Sequence, residues 1–221
     1  MNELNYDYVE NFLYENIKRK SDFLESLEKE ALENHVPIIS PDVGQFLKFL
    51  IASKKPKKIL EIGTAVGYSG LLMLSGSEQI EKLVTIELNE TTANIAKENF
   101  KKAGEDSRVQ VIIGDGLEQI KKLDEDFDLV FIDAAKGHYQ EYFNEIKRLI
   151  KPGSLIVCDN VLYKAMVTTD DLLVRRKKTI VKRLRAFIDE VINLEDFESS
   201  LIPMGDGLLV AVRIKWKRSN Y

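Results

Sequence analysis

Cysteine is nearly missing from this chain, with Cys158 the single example in 221 residues. An internal disulfide is therefore excluded. Because Cys158 lies within the apolar run SLIVCD, a buried strand thiol is expected rather than a reactive one. Long apolar runs are missing as well. Nothing approaches the roughly 18 consecutive apolar residues of a membrane span. The first residues, MNELNYDYVENFLYEN, are acidic and lack the basic-then-apolar order of an export signal. A cytoplasmic protein with no membrane partner is the expectation. Neither sign of charge dominates: the net charge is −4, so a nucleic-acid surface, if present, has to be local. There is no repeat, no low-complexity tract and no linker rich in Pro, Gly or Ser. One domain over 1–221 is expected, with a helical segment at 1–53 ahead of a core at 54–221.

What is present changes character along the chain. Residues 6–19 and 21–34 carry apolar positions at helical spacing, including Tyr8 and Phe12, then Phe23, Leu24, Leu27 and Leu32. Ser21-Asp22 is a cap between them, and a third helix follows Ser40, running from Pro41 or Asp42 to Ala52. The aromatic residues Tyr6, Tyr8, Phe12 and Tyr14 suit packing or a contact between two copies. Beyond them come five short apolar runs: KKILEI (57–62), KLVTIE (82–87), RVQVII (108–113), FDLVFID (127–133) and SLIVCD (154–159). Helical segments such as NETTANIAKENFKKAG separate them. Strands alternating with helices predict a parallel sheet, and near-continuous apolar strands fit burial on both faces. In IPMGDGLLVAVRI, Asp206-Gly207 between apolar runs predicts an antiparallel hairpin closing the sheet.

Ligands of such sheets bind outside the carboxyl ends of the strands. The first strand ends in LEIGTAVGYSG, where Gly63 and Gly67 bracket a tight turn into a helix. Ala65 takes the place of the second glycine of a dinucleotide fingerprint, and there is no phosphate-loop lysine, which argues against NAD and against a nucleoside triphosphate. Glu87 ends the second strand 20 residues after Gly67, placed to accept hydrogen bonds from ribose hydroxyls. In GDG (114–116), Asp115 ends the third strand and is placed to meet an adenine amine. Solvated strand ends are the alternative for Glu61, Glu87 and Asp115.

These residues carry a resemblance. E-I-G-T-A-V-G-Y-S, the acid at 87, G-D-G, F-I-D-A-A-K and C-D-N-V-L resemble the cation-dependent O-methyltransferases that use S-adenosylmethionine, among them catechol and caffeoyl-CoA enzymes. H-V-P-I at 35–38, D-A-A-K-G-H-Y-Q at 133–140, D-N-V-L-Y-K at 159–164, R-R-K-K at 175–178 and I-P-M-G-D-G-L at 202–208 are similar to the branch that methylates 5-hydroxyuridine at the wobble position of bacterial tRNA. The resemblance covers about residues 35 to 214. It implies a Rossmann-like class I methyltransferase fold, with a mostly parallel seven-stranded sheet, an antiparallel C-terminal hairpin and N-terminal helices. It also implies a homodimer. Ile39, Glu61, Gly63, Ser69, Glu87, Asp115, Gly116 and Asp133 would line the site for S-adenosylmethionine.

Two strand ends bear on the chemistry. Asp133 ends the fourth strand; Asp159 and Asn160 end the fifth. Neighbouring strands are about 4.8 Å apart, so these oxygens can converge on one hard cation, Mg²⁺ or else Mn²⁺ or Ca²⁺. Helix capping is the alternative for Asp159 and Asn160. Lys136 would take a proton from the substrate hydroxyl; the alternative is a surface lysine paired with Asp133. Residues 172–192 hold Arg175, Arg176, Lys177, Lys178, Lys182 and Arg183, with Ile180, Leu184, Phe187, Ile188 and Val191 on one helical face. That basic stretch is an expected contact for the tRNA anticodon stem-loop, or else a solvated helix face. A small catechol-like or caffeoyl-CoA-like phenol stays open as the other substrate. Tyr68 is expected to pack, Tyr163 and Lys164 are open between substrate contact and surface, and His35 and His138 are expected to be structural or solvent-facing.

Overall fold

The computed structural model describes residues 7–18 and 20–215. Tyr6 and the residue at 19, at the ends of the first expected helix, lie outside the described residues. Three helices come first, α1 (Asp7–Glu15), α2 (Asp22–Glu33) and α3 (Pro41–Lys54). Then strands and helices alternate: β1 (Lys58–Ile62), α4 (Tyr68–Leu74), β2 (Lys82–Glu87), α5 (Glu90–Lys102), β3 (Val109–Ile113), α6 (Gly116–Ile120), β4 (Phe127–Ile132), α7 (Tyr139–Ile146) and β5 (Ile150–Cys158). Finally come α8 (Lys178–Ile192), β6 (Phe197–Ile202) and β7 (Leu208–Arg213). Among the described residues no helix is long and apolar enough to cross a membrane.

The seven strands form one sheet in the order β3-β2-β1-β4-β5-β7-β6. β1 to β5 are parallel, and β7 enters antiparallel between β5 and β6. Strand order reverses beside β1, which opens a crevice at the carboxyl ends of β1 and β4. Pleating sends alternate side chains into two cores. Leu60, Ile62, Val130, Ile132 and Ile156 pack with α6, α7 and α8. Ile59, Leu83, Leu129, Phe131 and Val157 pack with α2 to α5. Burial on both faces is why these strands read as unbroken apolar runs.

Local chemistry sets the helix starts. Ser21 Oγ accepts from Leu24 N, and Asn89 Oδ1 accepts from Thr92 N at 3.0 Å. Differences from the sequence reading are few. β5 starts at Ile150, ahead of Ser154, because Ile150 pairs with Phe127 and a register shift then absorbs Pro152-Gly153. The hairpin strand before Asp206-Gly207 is Phe197–Ile202, further upstream than the apolar run suggested. Arg175–Lys177 is a separate 3-10 turn, so the basic run mostly precedes α8. Leu32 is exposed although it keeps helical spacing with Leu24 and Leu27.

Candidate active site

A cavity of about 850 Å³ opens at the carboxyl ends of the parallel strands, walled by the loop after β1, the ends of β4 and β5, the 35–40 segment and α1. Its tightest point is the loop after β1. Gly63 has φ 99°, and a Cβ there would lie 1.9 Å from the main-chain oxygen of Asp133. Only glycine allows the ends of β1 and β4 to approach so closely. Gly63 N donates to Ile86 O and Asp133 N to Ile62 O, both at 2.9 Å, carrying the sheet's bonding past the strand ends. Ala65 is left-handed at φ 45°. Its N–H donates to Glu87 Oε2 at 3.0 Å, while Asn89 N donates to Glu87 Oε1 at 2.9 Å. The acid at the end of β2 thus braces the loop and keeps lone pairs for further donors.

Below the loop lies a buried polar cluster. Glu61 is fully buried on the α4 side of β1. Ser69 Oγ donates to its Oε1 at 2.5 Å and Thr85 Oγ1 to its Oε2 at 2.6 Å. Thr64 Oγ1 and Thr85 Oγ1 are 2.5 Å apart. Burial pushes the Glu61 carboxyl up to about 7; the Ser69 and Thr85 donors oppose this, and the charges of Asp133 and Glu87 add to it. Sequence reading missed Thr64 and Thr85. The signal was a hydroxyl residue inside KLVTIE, a run otherwise made for an apolar core.

Asp133, Asp159, Asn160 and Lys136 come together in the cavity wall. Asp159 is buried, Asp133 is half-buried, and Lys136 Nζ stands 3.7 Å from Asp133 Oδ1. Burial holds the Asp159 carboxyl well above the usual carboxylate range, and the charge of Asp133 pushes the same way. Burial raises Asp133 also, against the pull of Lys136. Asn160 turns the end of β5 with φ 55°, a left-handed conformation that asparagine tolerates. Its N–H donates to Asp159 Oδ1 at 2.6 Å. Tyr139 Oη donates to the main-chain oxygen of Asp159 at 2.8 Å and packs edge-on to Phe187. The end of β5 is therefore fixed from below by a buried phenol that the sequence did not reveal.

Ile39 is buried in the cavity wall and Ser69 reaches it. Asp115 caps α6 by accepting from Glu118 N at 3.1 Å. Asp115 and Gly116 stand at the end of β3, outside the lining of this cavity. Tyr68 is buried as expected, with Lys20 Nζ 5.7 Å from its ring centre. His35, expected to be structural or solvent-facing, is left-handed at φ 54° and lines the cavity. Glu10 and Tyr14 of α1 line it too, with Tyr14 Oη donating to Glu10 Oε1 at 2.9 Å. No motif marked that helix as a wall.

The connection from β5 to α8 is strained. Tyr163, Lys164 and Ala165 have φ of 49°, 54° and 58°. Left-handed backbone costs an L residue about 1–2 kcal/mol. Lys164 N donates to Asp206 Oδ1 at 2.6 Å, and Leu162 N to Asp206 O at 3.0 Å. Arg185 donates to Val167 O at 2.9 Å, to Met166 O at 3.2 Å and to Asp170 Oδ1 at 2.7 Å. The turn that carries Asp206 is itself pinned to α3, because Asp42 Oδ2 accepts from Gly205 N at 3.2 Å.

Two residues of the basic stretch contact neighbours of cavity-lining residues. Arg175, Arg176, Lys178, Lys182 and Arg183 are exposed. Lys177 Nζ stands 5.5 Å from the ring centre of Tyr163. Arg183 Nη1 donates to Gly137 O at 3.1 Å, so this arginine holds the turn that bears Lys136.

A family model described as O-methyltransferase matches residues 15–214. A catechol O-methyltransferase of Niastella koreensis is 34% identical over 177 residues, 77% of this chain and 80% of that protein. A caffeoyl-CoA O-methyltransferase of Stellaria longipes is 28% identical over 209 residues, 89% of this chain and 85% of that protein. The crystal structure of an O-methyltransferase from Bacillus cereus in complex with SAH (S-adenosylhomocysteine) superposes with a TM-score of 0.82 at 29% identity, covering 93% of this chain and 97% of that one.

Proposed function

The chain belongs to the O-methyltransferase family, and on that premise we propose that it methylates one of two adjacent oxygens of a ring, using S-adenosylmethionine and a divalent cation. The observation that carries this reading is the grouping of Asp133, Asp159, Asn160 and Lys136 in one cavity wall. The SAH complex of the Bacillus cereus relative supports the methyl donor. The donor set fits the cation. It is all oxygen, and the Asp133 charge raises the proton affinity of Asp159, a like-charge pairing that a 2+ ion would relieve.

Asp133, Asp159 and Asn160 would hold a divalent cation, whose charge would lower the pKa of a substrate hydroxyl, and S-adenosylmethionine would supply the methyl group. Lys136 would take the hydroxyl proton, the O–CH₃ bond forming as the sulfonium S–CH₃ bond breaks. Glu87, held by the Ala65 and Asn89 N–H groups, would accept from ribose hydroxyls. Gly63, by permitting the close approach of the ends of β1 and β4, would leave room for the methyl donor, and Ile39 would give it an apolar wall. Alignment of two bound reactants supplies much of the remaining acceleration, about 7–11 kcal/mol in favourable cases.

Two substrate classes share the adjacent oxygens. The names of the relatives favour a catechol-type phenol, free or as a CoA thioester. The basic stretch beside Lys136 favours 5-hydroxyuridine at the wobble position of tRNA, giving 5-methoxyuridine, with Arg175, Arg176, Lys177, Lys178 and Lys182 on the anticodon stem-loop. The exposed aromatic residues of α1, Tyr8 and Phe12, support pairing of two copies. Labelled methyl transfer to catechol, to caffeoyl-CoA and to tRNA containing 5-hydroxyuridine tests the reading. Reversal of charge at Arg175 and Arg176 abolishes transfer to tRNA in a salt-sensitive way and spares catechol. Absence of transfer to every acceptor with Mg²⁺ and with Mn²⁺ refutes the reaction.

A further inference from the structure

The left-handed run at Tyr163, Lys164 and Ala165 contains no glycine and no asparagine. Local preference opposes it, so tertiary bonds impose it: Asp206 on the Lys164 N–H, and Arg185 on the carbonyls of Met166 and Val167. Room for it is cut from the neighbouring turn, where a Cβ on Gly207 would lie 2.3 Å from Leu162 Cγ. Strain maintained by several independent bonds beside a cavity points to a function for the residue it presents. That residue is Lys164. It lines the cavity with Asn160 and Asp206.

The electrostatic setting says what Lys164 is for. Glu10, Glu87, Asp133, Asp159 and Asp206 give the wall an acidic character. Among the described residues two lysines stand in it. Lys136 is 3.7 Å from Asp133. The Lys164 ammonium is exposed and forms no ion pair with any described residue. An acidic wall repels anions, and a cation in it with no ion pair among the described residues offers a place where an anion is welcome.

We propose that Lys164 is a specificity-determining residue: the substrate carries an anionic group, phosphate or carboxylate, close to its adjacent oxygens, and Lys164 anchors that group. A further cation, Lys177, stands over the ring of the neighbouring Tyr163. The proposal rests on the methyltransferase reading above and narrows its substrate class.

The test compares neutral and anionic acceptors with the same reacting ring. Catechol is set against 3,4-dihydroxybenzoate, and 5-hydroxyuridine against its 5′-monophosphate, with wild type, Lys164→Met, Lys164→Arg and Asp206→Asn. Wild type is expected to favour the anionic member of one pair by at least tenfold in kcat/KM, and the pair concerned tells carboxylate from phosphate. Lys164→Met should erase about tenfold of that preference, chiefly through KM, and Lys164→Arg should restore most of it. Asp206→Asn, which removes an acidic charge from the wall and keeps an oxygen acceptor for the Lys164 N–H, should raise it. Titration of 3,4-dihydroxybenzoate and of the monophosphate into protein holding S-adenosylhomocysteine and Mg²⁺ gives a readout without turnover. Weaker binding of one of them to Lys164→Met supports the proposal; equal affinity of both anions for wild type and Lys164→Met overturns it. Equal loss on neutral and anionic acceptors overturns it as well. If no acceptor is methylated the reaction itself is refuted, while the binding titration still decides the role of Lys164.

Discussion

Replacing Glu61 by Gln should make the protein more stable at pH 8 and leave it nearly unchanged at pH 4.5. Glu61 is fully buried, and burial lifts its carboxyl from 4.5 to about 7. Between those values the folded protein holds a proton that the unfolded chain has released, so stability falls as pH rises through this window. Above about pH 7 the loss is complete and constant. A shift of that size corresponds to about 3 kcal/mol at about 1.4 kcal/mol per pH unit. Glutamine has no charge to bury, and its amide can be met by the same partners. Ser69 and Thr85 hydroxyls both donate and accept, so Oε1 can take one while Nε2 gives to the other. Urea unfolding of both proteins, free of cofactor and with cations chelated, measures the difference at pH 4.5, 6 and 8. The gain for the variant should grow to about 3 kcal/mol at pH 8, or roughly 6–12 °C in Tm for a domain of this size. Contributions of Asp133 and Asp159 are common to both proteins and largely cancel. Parallel stability curves for the two proteins across the range would refute the reasoning.

Gly63→Ala should cost at least about 2 kcal/mol, and about 4–8 °C in Tm, because its Cβ meets the Asp133 carbonyl oxygen and its φ is positive. Lys136→Met should lower kcat by about 10²–10⁴, while calorimetry finds S-adenosylhomocysteine affinity within about threefold of wild type. Asp159→Asn should weaken Mg²⁺ binding more than tenfold by titration, and chelation of wild type should stop turnover until Mg²⁺ is returned. Arg185→Ala, which removes three donors from the connection after β5, should speed amide exchange at 163–170, with a local cost of about 1–3 kcal/mol.

The alternation of strands and helices was legible because it rests on periodicity, and the parallel strands are buried on both sides. The carboxylates at strand ends were legible for the same reason: once the strands are placed, Glu87, Asp133 and Asp159 fall at one edge of the sheet. What escaped is whatever long-range contact decides. Ile150 begins β5 because Phe127 waits opposite, although Lys151-Pro152-Gly153 reads locally as a turn. Thr85 is polar inside an apolar strand because Glu61, 24 positions away, needs a donor. Tyr14 and Glu10 wall the cavity without a motif. The left-handed conformation of Lys164 depends on Asp206, 42 positions away. Arg183, grouped by sequence with the other basic residues, spends a hydrogen bond on Gly137.

The hairpin that carries Gly205 and Asp206 has a bearing on the order in which the molecule is built. β6 and β7 follow every other strand in synthesis, yet β7 covers the open side of β5 and the turn between them reaches back to α3, 163 positions away. Until residues 197–213 have emerged, Leu155–Cys158 present an apolar unpaired edge, the most adhesive surface a nascent sheet can offer. The cavity lacks a wall for the same interval. A nascent chain stalled before this hairpin therefore has the loop after β1 and the carboxylates that end β4 and β5, while the part of the wall formed by Gly205 and Asp206 arrives only with the turn before the strand that seals the edge.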